Sequence, residues 1–145
     1  MKRPDLDMPE DFVFSTELPI RVDDVNYGGH LGNDRVLTLV HEARVRFLRA
    51  HGFSELDVGG PGLIQLNATV VYEAEGELGD PLTINTTPGG ISPMGFDFYA
   101  RLQNRKTDAV LANVRTAMVG YDMDQEQPVR LPEPFVDTLN DLINA

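Results

Sequence analysis

The stretch DDVNYGGHLGNDRVLTLVHEAR, residues 23–44, decides how this chain is read. Its first half packs two acids, two asparagines, a histidine and a Gly pair (Gly28, Gly29) into a short irregular segment. A helical pattern follows at once. Glycine permits close backbone approach, and the first turn of a helix presents unpaired N–H groups that polarise an oxygen. A loop that carries titratable side chains into a helix start is therefore a candidate site.

The helix is expected over residues 33–51. Val36, Val40, Ala43 and Phe47 recur at the 4, 3, 4 spacing of one face, flanked by Leu37 and Leu48. Asp34, Arg35, Thr38, Glu42, Arg46 and Arg49 take the other side. Asn33 is the expected N-cap, Asp34 suits the positive end of the helix dipole, and Gly52 supplies the stop. On the helical wheel Arg44 lies about 40° from Val40, at the margin of the apolar face, where an arginine closes a structural ion pair. His41 lies at the edge of the same face and Glu42 points to solvent.

Outward from this segment the chain reads as β-structure. Residues 12–22 form a strand whose Pro19 marks an edge or a bend. Beyond the Gly-rich turn 59–62, four more runs follow, over 63–75, 81–87, 95–103 and 109–121. Gly79-Asp80, Pro88-Gly89-Gly90 and residues 104–108 separate them, and such short turn-forming connections predict antiparallel neighbours. Phe96, Phe98, Ala100 and Leu102 alternate with Asp97, Tyr99 and Arg101, the pattern of a sheet covered on one face. Residues 1–11 read as a loose arm. Residues 132–145 read as a tail ending in a short helix, with Phe135, Leu139, Leu142 and Ile143 on one side. The expectation is a single α+β domain over residues 1–145, with one long helix against a five-stranded antiparallel sheet, a layer that gains cover by oligomerising.

Composition narrows the function. Twelve Lys and Arg against 23 Asp and Glu give a net charge of −11, which argues against nucleic acid and against anionic membranes as partners. No apolar run approaches the ~20 residues of a membrane helix, and MKRPDLDMPEDF lacks the apolar centre of a signal peptide. Without cysteine there are no disulfides, no thiolate nucleophile and no cysteine metal site. These features point to a soluble cytoplasmic protein.

In order and spacing, several elements resemble the hotdog-fold thioesterases, in particular the 4-hydroxybenzoyl-CoA and short-chain acyl-CoA thioesterase branch. Asp24-Val25-Asn26-Tyr27-Gly28-Gly29-His30-Leu31-Gly32-Asn33 resembles that branch's D-x-D-x-x-G-H-x-N-N segment. Ala43-Arg44, Asn67-Ala68-Thr69, Gly79-Asp80 and Leu131-Pro132 fall where the family has similar elements. The resemblance spans about residues 12–134. It implies a hotdog fold, with the five-stranded sheet wrapped around the long helix. It also implies a homodimer joined sheet edge to sheet edge, with some members pairing into tetramers, and two active sites at the dimer interface. The implied substrate is an acyl thioester of coenzyme A or acyl carrier protein, cleaved to acid and thiol without metal or cofactor.

One departure bears on mechanism. Aligned without gaps, Asn26 stands where the family carries its nucleophilic or basic Asp, and an amide can be neither. The plant acyl-carrier-protein thioesterases use D-x-N-x-H instead. Asp24-Val25-Asn26 matches its first half, with His30 two residues late.

Three candidate catalytic residues follow. Asn26 orients water or the thioester carbonyl, or else organises its own turn. His30 acts as general base near neutral pH, or else ties the loop to the helix. Asp24 supplies the missing carboxylate or holds the His30 ring, or else caps the strand end. Gly28, Gly29 and the backbone N–H near Asn33 are candidates to polarise the carbonyl oxygen. His41 is a further substrate-binding candidate. Gln65 and Asn67, alternating with Thr69 on one strand face, line the acyl cleft if the resemblance holds. Arg101, Arg105 and Lys106 form the best basic cluster for a coenzyme A phosphate. The expected function is acyl thioester hydrolysis. The alternatives are a hydratase of the same fold, whose D-x-N-P-x-H motif is broken here by Tyr27, and a non-catalytic acyl-thioester-binding module.

Overall fold

The computed structural model describes residues 4 and 6–145, so the arm expected over residues 1–11 lies partly outside the described residues. The order is β1 (Phe14–Pro19), a single 3₁₀ turn (Val22–Asp24), α1 (Arg35–Ala50), β2 (Gly62–Tyr72), β3 (Pro81–Gly89), β4 (Gly95–Asn104), β5 (Val110–Asp122), β6 (Gln127–Pro128) and α2 (Glu133–Asn144). This is the expected α+β hotdog architecture, with a two-residue β6 hairpinned onto β5 as a sixth strand that the sequence reading did not include.

Helix α1 begins one turn-residue later than expected. Asn33 is not the N-cap: Arg35 N–H donates to Gly32 O at 3.0 Å, and Asp34 is already helical at φ −70° with no side-chain cap. The tight turn 32–35 does the work of a capping side chain. At the other end Gly52, at φ +83°, reverses the chain, and Phe53 N–H reaches back to Leu48 O at 2.9 Å.

The sheet is antiparallel throughout, in the order β1-β3-β4-β5-β2. Strands β3, β4 and β5 are neighbours as their short turns predict, but β2 and β3 are not. Gly79-Asp80 does not close a β2–β3 hairpin; residues 73–80 instead carry the chain past α1's entry loop to the far half of the sheet. Backbone bonds fix that crossing: Leu31 N–H to Gly76 O at 2.7 Å, Gly79 N–H to Ile20 O at 2.8 Å and Ile20 N–H to Asp80 O at 2.9 Å. Gly76 is required there on steric grounds. A Cβ would lie 2.5 Å from Leu111 Cδ2 and 2.6 Å from Ile20 Cδ1, both packed in the core.

The sheet curls around α1. Phe47 meets Phe14 of β1 at 5.8 Å and Phe98 of β4 at 5.5 Å between ring centroids. Val36, Leu39, Val40, Ala43 and Leu48 complete the buried face of α1. The alternation read in β4 is present, with Phe96, Phe98, Ala100 and Leu102 all buried. Helix α2 closes one end of the barrel-like layer by setting Phe135 against Phe53 at 4.9 Å and Phe96 at 5.7 Å.

Arg44, 5% exposed, closes the ion pair expected of it. Its Nε lies 2.7 Å from Glu55 Oε1, and its guanidinium sits 5.8 Å over the Phe98 ring. Removing Glu55 would strand that charge against an aromatic core. Glu55→Ala is expected to cost about 2 kcal/mol, less than the ~3–5 kcal/mol of breaking a fully buried pair because Glu55 is partly exposed, and a urea titration would read it.

Candidate active site

The loop between β1 and α1 is built on Asp24 and Asn26. Asp24 is fully buried beneath it. Its carboxylate accepts the Arg21 N–H at 2.9 Å and faces Arg35 Nη2 at 3.5 Å, while its own carbonyl accepts Gly32 N–H at 2.9 Å. One residue thus ties both ends of the loop together.

Asn26 organises the turn above it. Its Oδ1 accepts Gly28 N–H at 2.9 Å and His30 N–H at 3.3 Å, and its backbone N–H donates to His30 O at 2.8 Å. The amide oxygen is therefore spent on the loop, while the Nδ2 hydrogens remain the uncommitted half of the side chain. Gly29, at φ +80°, donates its N–H to Asn26 O at 3.0 Å. The Gly28 and Gly29 N–H groups consequently close the turn and are not available to polarise a substrate oxygen, which corrects the donor role expected of them. The N–H groups of Asn33 and Asp34, at the helix start, carry no hydrogen bond among the described residues and are the remaining donors.

His30 stands at the open side of this turn. Its Nδ1 faces the Asn26–Gly28 side, where a Cβ on Gly28 would lie 3.9 Å from Nδ1 and 3.3 Å from Asn26 Oδ1. Its Nε2 lies 3.3 Å from Glu75 Oε2. Glu75 lies 45 positions from His30, at the end of the strand expected over residues 63–75, so nothing local in the sequence links it to the loop. A cavity of about 220 Å³ opens on the Glu75 side, lined also by Leu31, Asn33, Val36, Tyr72 and Leu111. Tyr72 at the end of β2 donates its hydroxyl to Asn33 O at 2.9 Å, so the helix start is anchored to the sheet edge.

The sequence matches the family model of the thioesterase-like superfamily over residues 20–139. The chain belongs to this superfamily. No curated protein matches it significantly. Among solved structures, the fold is similar to a 1,4-dihydroxy-2-naphthoyl-CoA thioesterase from Synechocystis, at 22% identity and a TM-score of 0.81, covering 90% of this chain and 97% of that one. It is similar to a Staphylococcus aureus protein solved in complex with CoA, at 16% identity and a TM-score of 0.83, covering 97% and 89%. A DHNA-CoA thioesterase from the same species matches at 19% identity and a TM-score of 0.77, covering 90% and 87%.

Within this thioesterase-like chain the remaining candidates fall elsewhere. His41 lies six residues into α1 and pairs with Glu55 at 2.8 Å, joining the Arg44 cluster rather than the loop. Gln65 and Asn67 do not share a strand face. A bulge at Leu66 sets Gln65 opposite the buried Met118 and Asn67 opposite Ala117 on the other side of the sheet, since one extra residue inverts the alternation. Both lie on β2, an edge strand of the sheet, where Leu66 is 60% exposed. Of the basic cluster, Arg101 is held by Asn113 at 2.9 Å and stacks over Phe12 at 5.3 Å, and Arg105 faces Glu17 at 3.5 Å. Lys106 makes no side-chain ion pair among the described residues. No helix is long and apolar enough to cross a membrane among those residues.

Proposed function

We propose that this protein is a thioesterase that hydrolyses an acyl thioester of coenzyme A, or of acyl carrier protein, to the free acid and thiol. The observation that carries the reading is the presentation of His30 Nδ1 and the Asn26 amide at one open turn beside the start of α1. The superfamily match and the similarity to CoA-ester hydrolases and a CoA complex support it. Water, held by Asn26 Nδ2–H, gives a proton to His30 Nδ1 as its oxygen bonds to the thioester carbonyl carbon. The developing oxyanion lies toward the N–H groups of Asn33 and Asp34. Collapse breaks the C–S bond, and the imidazolium returns the proton to the departing thiolate. Asp24 holds the loop that carries these groups and takes no part in proton transfer.

We assign the β2 edge of the sheet to a homodimer, with tetramers built from it. Strand β2 has eleven residues with one unpaired side, a row of backbone donors and acceptors suited to a second copy. Leu66 and Tyr72, both exposed, lie along it, and Gln65 and Asn67 would flank the seam on opposite faces of the sheet. Of the basic cluster, Lys106 makes no ion pair among the described residues and is the proposed contact for a coenzyme A phosphate. The cysteine-free composition suits a cytoplasmic setting.

The test follows thiol release across a panel of acyl-CoA chain lengths, with enoyl-CoA absorbance read in parallel. Thiol release without loss of the enoyl chromophore is expected. Chromophore loss without thiol would make the protein a hydratase, and binding without either signal would make it an acyl-thioester-binding module. Light scattering after size exclusion is expected to give at least twice the 16.1 kDa chain mass, and a stable monomer would remove the proposed edge pairing.

A further inference from the structure

We propose that Glu75 is the positioning carboxylate of the site, acting through His30 in place of the acid that position 26 lacks; this rests on the hydrolase reading above. The residue enters from the crossing segment after β2, not from the loop. Three features bring it to the imidazole. Leu31 N–H bonds Gly76 O at 2.7 Å, and His30 and Glu77 form an antiparallel bridge, so the two backbones are locked in register. Gly76 lets them approach, because any side chain there would enter the core between Leu111 and Ile20. The result is Glu75 Oε2 at 3.3 Å from His30 Nε2.

The chemistry of that contact is directional. A carboxylate facing Nε2 keeps the proton on that nitrogen and leaves the Nδ1 lone pair toward the Asn26–Gly28 turn, where the proposed reaction places its water. When Nδ1 takes the water's proton, the same carboxylate stabilises the imidazolium that forms. Glu75 is 77% exposed, and an exposed pair of this kind contributes little to fold stability. Its removal therefore separates a role in the reaction from a role in the fold.

The experiment is a double-mutant cycle on the full chain, measured by thiol release with saturating and limiting acyl-CoA. Glu75→Ala is expected to lower kcat about tenfold with KM unchanged, and Glu75→Gln, which keeps an acceptor but loses the charge, about threefold. In a His30→Ala background, Glu75→Ala is expected to change kcat less than about twofold, because the carboxylate has no imidazole left to act through. Melting temperature and the activity of Glu77→Gln should match the wild type. Full activity in Glu75→Ala, with His30→Ala inactive, would overturn this assignment and leave the hydrolase reading standing. Equal, multiplicative losses in both backgrounds would also overturn it. His30→Ala retaining wild-type hydrolysis would instead remove the site itself.

Discussion

Replacing His30 with alanine is expected to lower kcat for acyl-CoA hydrolysis about a hundredfold, the scale of losing a positioned general base at neutral pH. The expectation rests on the loop's hydrogen-bond accounting. Asp24 is buried and committed to Arg35 and the loop backbone, so its carboxylate does not reach the water. Asn26 carries an amide and no acid, and its oxygen is already bound. The His30 imidazole offers a basic lone pair on the side of the turn. KM is expected to move less than about threefold, because His30 acts on the water and not on the acyl or nucleotide portions of the substrate. Steady-state kinetics with a thiol-trapping reagent measure both constants. Equal losses in kcat/KM through KM alone would make His30 a binding residue.

The second large effect lies in the fold. Phe47→Ala is expected to destabilise the protein by about 3–5 kcal/mol, the range for deleting a fully buried aromatic side chain. Phe47 is 0% exposed and is the shared contact of Phe14, Phe98 and His51, the last at 4.9 Å. Those partners belong to β1, β4 and the end of α1, so none of them can collapse into the gap without moving an element. A fall in melting temperature of about 10 °C or more corresponds to that cost for a chain of this size, and calorimetry would read it. The same substitution tests whether α1 is held mainly by its aromatic centre. A loss below about 1 kcal/mol would mean the sheet closes around the cavity.

The parts of this molecule legible in the sequence are those written in local periodicity. The apolar stripe Val36, Val40, Ala43, Phe47 locates α1, and the alternation from Phe96 to Leu102 locates β4 and its covered face. Arg44, at the margin of the stripe, closes its ion pair as its wheel position predicts. What local pattern cannot carry is the path of the chain between elements. Gly79-Asp80 has hairpin chemistry, yet β2 and β3 lie apart, because residues 73–80 find their partners in the entry loop. The same long-range pairing hides Glu75 from any reading that scans neighbours of His30 in sequence. The bulge at Leu66 is a second instance: Gln65 and Asn67 alternate on paper, and one inserted residue sends them to opposite faces. Position 33 shows a smaller version, where a backbone turn from Gly32 to Arg35 replaces the asparagine cap. The donor roles expected of Gly28 and Gly29 fail for a related reason, since the loop consumes both N–H groups to hold its own shape.

The proposed reaction runs by direct attack of water, because position 26, at the centre of the loop, carries an amide and not a nucleophilic acid. That claim has one decisive measurement: a single turnover of acyl-CoA with enzyme in excess in ¹⁸O-water, followed by mass analysis of both the acid and the protein. Direct attack predicts acid carrying one ¹⁸O atom and a protein free of label. Unlabelled acid with ¹⁸O on a protein carboxylate, or no acid at all, would contradict it.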